Sequence, residues 1–340
     1  MYVQYLEEKE MKENRKLKMA VISTLMALTL GVTAGLAHDV EAAAQKKVGI
    51  VQLVEHAALD AANKGFVDGL AQRGFTEGKN IVYDRQNAQA DQSNLQNIAH
   101  RFSSSKVDLI CAIATPSAQA MANVTDTIPI VGTAITDYVS ARLAKTNAAP
   151  GGNVTGTTDM NPIEAQVDML AKFAPNLKTI GAIYCSSEVN SQVQIDIMKD
   201  YAARKGFKVV EATVSTVNDI QQAARSLVGK CQGVYVPTDN ILASAMPTLV
   251  EITNEAKIPV VAGEGGMVEA GGTASLAIDY YTLGVQTGQM AADILQGKAK
   301  PATMAIQGQK DCAAIVNGKE LEILGLKLPA EYAKAKVVGK

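Results

Sequence analysis

The chain has no tryptophan and only five phenylalanines in 340 residues. With aromatics at 4%, a core built on stacked rings is excluded. The abundance of Ala, Val, Ile and Gly instead suits helices packed on parallel strands. Charge of either sign is not in excess, with 32 basic and 34 acidic side chains. There is no basic stripe for nucleic acid and no acidic tail. Histidine is scarce. Beyond the N-terminal segment only His56 and His100 remain, and His100 has no cysteine or carboxylate at metal-ligand spacing. The four cysteines, Cys111, Cys185, Cys231 and Cys312, fit neither C-x-x-C nor a zinc pattern, so no metal is expected. Cys111 reads as a buried mid-strand thiol, and Cys231–Cys312 is the pair to test for a disulfide. The sequence lacks a G-x-S-x-G elbow, a P-loop and a G-x-G-x-x-G after its first strand. No enzymatic activity and no cofactor are expected.

What is present begins with an export signal. Lys12, Arg15, Lys16 and Lys18 form a basic region, Met19 to Ala37 is apolar, and Ala42-Ala43-Ala44 supplies the small residues of a cleavage site. Residues 1–44 are therefore expected to be removed after Ala44, leaving a periplasmic protein. The acidic stretch before Met11 has the wrong sign for such a signal, which places the natural start at Met11.

The remaining chain alternates apolar runs with helical spacing. Lys47–Leu53 reads as a strand, and Leu59, Ala62, Phe66 and Leu70 share one helix face, ended by Gly74. Strands Asn80–Gln86, Val107–Ala114 and Ile128–Ala134 alternate with helices Gln92–Phe102 and Ser117–Val124. The series then repeats. Gly49 in Val-Gly-Ile-Val recurs 132 residues on as Gly181 in Ile-Gly-Ala-Ile, Arg73-Gly-Phe as Lys205-Gly-Phe at the same offset, and Ile128-Pro-Ile-Val as Ile258-Pro-Val-Val 130 residues on. The expected fold is α/β: two Rossmann-like lobes with parallel sheets, joined by a multi-strand hinge. Lobe 1 is assigned to 45–150 and lobe 2 to 151–270. Residues 271–340 are a hinge crossover and a C-terminal segment of open lobe assignment.

In such sheets ligands bind beyond the strand C-termini. The polar tips read from the sequence include Thr136, Asn190, Thr238 and Asn240, and the ligand-binding set taken from the tips is His56, Thr115 and Ser117, Asp137, Ser186 and Glu188, Asp239, and Glu264. Thr115 and Ser117 open a helix, which suits a carboxylate. Asp239 and Glu264 suit an ammonium group on the opposite lobe. The competing reading is that Thr115, Ser117, Ser186 and Asp239 only cap their own helices.

Gln52-Leu-Val-Glu-His56, Ala114-Thr-Pro-Ser-Ala118, Thr136-Asp137, Ser186-Ser-Glu188 and Val236-Pro-Thr-Asp-Asn240 together resemble the ABC-transporter substrate-binding proteins of tryptophan/tyrosine-type uptake systems. The resemblance spans about Lys47 to Pro329. It implies the type I periplasmic-binding-protein fold, capture of a small ligand (an amino acid, possibly aromatic) between the lobes, and delivery to an ABC permease. It offers Tyr138, Tyr184, Tyr280 and Tyr281 as ring partners. The chain is expected to act as a monomer, with no nucleic-acid partner. Alternatives are a sugar or nucleobase ligand, or a ligand-sensing role beside a membrane receptor.

Overall fold

Two sheets, each buried under helices, are built by one repeated strand order. The computed structural model describes residues 2–16 and 45–339, and divides into units at 1–44 and 45–340. In the first unit residues 2–16 are helical. The apolar run Met19–Ala37 and the cleavage site at Ala44 lie outside the described residues. No helix among the described residues is long and apolar enough to cross a membrane.

In the second unit, strands β1 (Lys46–Gln52), β2 (Ile81–Asn87), β3 (Leu109–Ile113), β4 (Ile130–Ile135) and β5 (Val154–Thr158) alternate with helices α1 (Ala57–Gln72), α2 (Gln92–Ser105) and α3 (Thr115–Ala122). They form a parallel sheet in the order β2-β1-β3-β4-β5. The second lobe repeats the order as β7-β6-β8-β9-β10. Its strands are β6 (Thr179–Cys185), β7 (Lys208–Val214), β8 (Gly233–Val236), β9 (Val260–Ala262) and β10 (Ala274–Ala277). Its helices are α4 (Ile163–Phe173), α5 (Val189–Arg204), α6 (Ile220–Leu227), α7 (Asn240–Ser244), α8 (Met246–Glu255) and α9 (Gly265–Glu269).

The repeated glycines have a packing cause. A Cβ on Gly49 would stand 2.7 Å from the Phe102 ring, and one on Gly181 would stand 2.7 Å from Cys231 Sγ. In each lobe a covering side chain presses onto the first strand at that point. Phe66 and Phe102 are fully buried, each contributing about 1.5–3 kcal/mol by removal from water. The single helix suggested by the run from Ile241 to Ala256 is two, because Pro247 at the start of α8 cannot continue the ladder of α7, and the chain turns at Ala245.

The lobe boundary read at residue 150 falls one strand early. Val154–Thr158 pairs with β4 in the first sheet, its β-branched residues masked in the sequence by flanking turn formers. The chain first crosses at Asp159–Pro162, before α4. The C-terminal segment divides between the lobes. Helix α10 (Tyr280–Leu295) returns to pack on α1, and β11 (Gln307–Gly308) joins the first sheet beside β5. The chain then crosses a third time. β12 (Ala313–Asn317) lies antiparallel to β10, β13 (Lys336–Val338) pairs with β12, and α11 (Gly318–Leu324) links them. The three crossovers are tied to one another. Asn161 Oδ1 accepts from Ile278 N at 3.2 Å, and Gln309 Oε1 accepts from Asp279 N at 3.1 Å.

All four cysteines are free, which corrects the Cys231–Cys312 expectation. β12 runs antiparallel to β10, so Cys312 enters at the strand C-terminal end of the sheet. Cys231 precedes β8 at the other end.

Candidate functional site

A tight cavity of about 10 Å³, room for roughly one water, lies where the strand tips of the two lobes meet. Lobe 1 contributes His56, Leu59, Ala134 and Thr136; the crossovers contribute Asp159 and Tyr280; lobe 2 contributes Asn190, Thr238, Asp239, Asn240, Ala243, Glu264 and Met267. That volume is far below the roughly 300 Å³ and upward of ligand pockets, so space for a ligand opens only as the lobes part. Two contacts close it across the cleft: His56 Nε2 to Asn240 Oδ1 at 3.2 Å and Thr136 Oγ1 to Thr238 Oγ1 at 3.3 Å.

The local sequence explains these positions. β8 ends at Pro237, and Asp239 caps α7 by accepting from Leu242 N at 2.9 Å. Its other oxygen accepts from Cys185 N at 2.6 Å and Ser191 Oγ at 2.7 Å, binding the tip of β6 and the start of α5 to the tip of β8. Glu264 caps α9, its two oxygens accepting from Gly266 N at 2.6 Å and Met267 N at 3.1 Å. On lobe 1, Ala114 and Ala134 have φ of +80° and +54° at the tips of β3 and β4. Such backbone costs on the order of 1–3 kcal/mol for a residue with a Cβ and clusters at functional sites.

Asp159 joins the hinge to both lobes. Its Oδ1 accepts from Thr136 Oγ1 at 2.8 Å and its Oδ2 from Tyr280 OH at 2.8 Å. Through Thr136 it reaches Thr238, which Gln194 holds at 2.5 Å. Burial raises the pKa of Asp159 and Asp239, and pushes Glu264 up to about 7 against the pull of its two backbone donors. Glu188, behind the cavity wall, is pushed up to about 8 by burial and then by Asp239. Among the described residues none forms an ion pair with these four carboxylates. Burial holds His56 below its usual range, so its imidazole is neutral.

Of the eight side chains named from the sequence, His56, Asp239 and Glu264 line the cavity. Glu188 sits one hydrogen bond behind it, through Asn190 and Asn240. Thr115 and Ser117 are buried in the first turn of α3 with unpartnered hydroxyls, outside the set that lines the cavity. Asp137 and Ser186 are not brought to the cavity. Asp137 caps its own turn at Val139 N and Ser140 N, and Ser186 is exposed. Of the four tyrosines only Tyr280 faces the cavity. Tyr138 is fixed by Gly132 O and Thr157 O, Tyr184 by Glu211, and Tyr281 by Asp68. Thr136, Asn190, Thr238 and Asn240, read from the sequence as strand tips, also line the cavity, and Asp159 is the lining carboxylate that the sequence reading missed. For Asp159 the signal was present: it follows the β-branched Val154–Thr158, a tip only if that stretch is a strand.

A family model for "ABC transporter substrate binding protein" matches residues 47–337. The chain belongs to that family. Substrate-binding proteins of this kind work outside the cytoplasm, taking a small molecule to a membrane permease. This substrate-binding protein is 45% identical over 291 residues to a tyrosine-binding protein of Clostridioides difficile (strain R20291), covering 85% of this chain and 84% of that one. A solved ABC domain from Streptococcus pneumonia in complex with L-Trp is 38% identical, with a TM-score of 0.83 over 87% of this chain and 100% of that one. The ligand-free, open structure of a substrate-binding protein with adhesive properties from Clostridium difficile is more similar in sequence, at 49%, over 86% of this chain and 99% of that one. Its TM-score is nevertheless lower, at 0.67. That inversion is what a different lobe angle produces, and the bonds across the cleft show this substrate-binding protein closed.

Proposed function

We propose that this protein captures an amino acid in the interlobe cavity and hands it to an ABC permease, working in the periplasm after removal of its signal segment near Ala44. The observation that carries the reading is the set of buried, unpaired carboxylates around a small closed cavity. Asp159 and Glu264 face it with raised pKa values, an arrangement that a ligand ammonium group would relieve. The relatives that bind tyrosine and tryptophan support an aromatic side chain. Asp239 and Glu188 serve the frame rather than the ligand: Asp239 takes three protein donors where Asp159 and Glu264 take two each, and Glu188 lies behind the cavity wall. Calorimetric titration with amino acids and with sugars tests the class. Binding of a sugar and of no amino acid would remove this reading.

The carboxylates also give the pH dependence a sign. The closed-state pKa of Glu264 is raised, so its contribution to the closed, ligand-free form is full below about 4.5 and is lost as pH rises through about 7. An ammonium ligand prefers the ionised form. Affinity is therefore expected to rise between about pH 5 and pH 8, with proton release on binding near neutrality. Titrations in buffers of different ionisation enthalpy measure both. A flat or falling affinity over that range would contradict the ammonium role.

A further inference from the structure

The polarity of one cavity wall follows from a single buried carboxylate. Glu188 is 3% exposed at the N-terminus of α5. Its Oε2 accepts from Asn190 Nδ2 at 2.8 Å, Asn240 Nδ2 at 2.6 Å and Asn240 N at 3.3 Å. Asn190 Nδ2 also donates to Thr238 O at 2.9 Å. Two acceptors on that side fix the amide, and Asn190 Oδ1 is left buried and unpartnered. Asn240 is fixed the same way, with its Oδ1 turned to His56 Nε2. A carbonyl oxygen only accepts, so His56 carries its proton on Nε2. Its Nδ1 is then a lone pair, buried and unpartnered. The result does not depend on the ionisation of Glu188: three donors converge on Oε2, so a proton would sit on Oε1.

His56, Asn190 and Asn240 all line the cavity, together with Leu59 and Ala243. Leu59 follows His56 by three residues and Ala243 follows Asn240 by three, so each apolar side chain lies beside its polar partner along the helix. The wall thus joins apolar side chains to two residues whose acceptors are buried without partners. We propose that Glu188 is a positioning residue that turns this wall into acceptors, His56 Nδ1 and Asn190 Oδ1. The wall thereby selects a ligand side chain that ends in O–H or N–H over one of the same shape that ends in C–H. This rests on the amino-acid reading above and adds to it the residue that sets a preference for a polar ring end, which the tyrosine and tryptophan of the relatives both carry.

Titrating the purified chain with tyrosine, tryptophan and phenylalanine tests it. Tyrosine or tryptophan is expected to bind at least about tenfold more tightly than phenylalanine, because phenylalanine leaves a buried acceptor unmade. Which of the two wins tells phenol from indole. Glu188→Ala frees both amides and is expected to bring the ratio to within about twofold, whereas Glu188→Gln, whose carbonyl can take the place of Oε2, keeps it. A merely structural role would weaken all three ligands together and leave the ratio standing. Should Glu188→Ala fail to fold, Asn190→Ala and the ¹⁵N shift of His56 Nδ1 on tyrosine binding read the same device. Phenylalanine binding as well as the other two overturns the proposal while sparing the amino-acid reading, as does an unchanged ratio in Glu188→Ala. Binding of none of the three overturns the proposal, and the titration with other amino acids then decides whether the broader reading stands.

Discussion

Asp159→Ala is expected to weaken amino-acid binding by about 100-fold or more in a calorimetric titration. The change removes a buried charge and the acceptor of two buried donors at once. Thr136 Oγ1 loses its carboxylate partner and Tyr280 OH loses its own. Both losses fall at the hinge, since Asp159 opens the first crossover and Tyr280 begins the helix after the second. Asp159→Asn separates charge from shape. It is expected to restore the melting temperature and not the affinity. An Asn variant that binds as tightly as the parent would remove Asp159 from the ammonium site. Glu264→Ala is expected to cost about tenfold, a smaller effect from the loss of one charge-assisted contact.

The largest effect on stability is expected at the seam between α1 and α10. A Cβ on Gly284 would stand 2.1 Å from Ala62 O, one on Gly65 2.1 Å from Tyr281 O, one on Gly69 2.2 Å from Val285 O, and one on Gly288 2.2 Å from Phe66 O. These contacts are with backbone oxygens, so no rotamer change relieves them. Gly284→Ala would force the two helices apart, at a cost of about 3 kcal/mol or more. Because α10 also carries Tyr280, ligand binding is expected to weaken with it. Urea denaturation with and without ligand measures both effects, and an unchanged midpoint would show that the seam gives way cheaply.

The two-lobed architecture was legible because buried parallel strands are continuous apolar runs and the series occurs twice. Gly49 and Gly181 marked equivalent points, and the repeated sheet order accounts for the match. The crossover was misplaced because Val-Thr-Gly-Thr-Thr sits between Gly-Gly-Asn and Asp, where local signals favour turns. With β5 went Asp159, the side chain that links the hinge to the cavity. Glu264 was named, but its capping was not, because Gly-Glu-Gly-Gly reads as loop until α9 is seen. Asp137 and Ser186 occupy genuine strand tips, yet Asp137 closes its own turn and Ser186 faces solvent. Composition cannot distinguish a tip that faces the cleft from one beside it. The paired glycines of α1 and α10 are visible as i, i+4 spacings, but a glycine within a helix pattern first reads as a weak helix. Only the partner helix supplies the reason.

The return of the chain to its first lobe has a consequence for how the protein is made. Thr155 Oγ1 on β5 bonds Met304 O, 149 residues away in sequence, and Gln289 on α10 bonds Gln72 on α1, 217 residues away. As the chain emerges N-terminus first, the first sheet waits for its edge strand, and α1 keeps its glycine seam uncovered, until nearly the whole polypeptide has appeared. The second lobe can meanwhile assemble β6 to β10 from one continuous stretch. Such distant pairings fold slowly and leave apolar surface open to wrong partners. The lobe synthesised first therefore stays unfinished until most of the second has appeared, and a chain cut short before α10 would present an orphaned half rather than a smaller working protein.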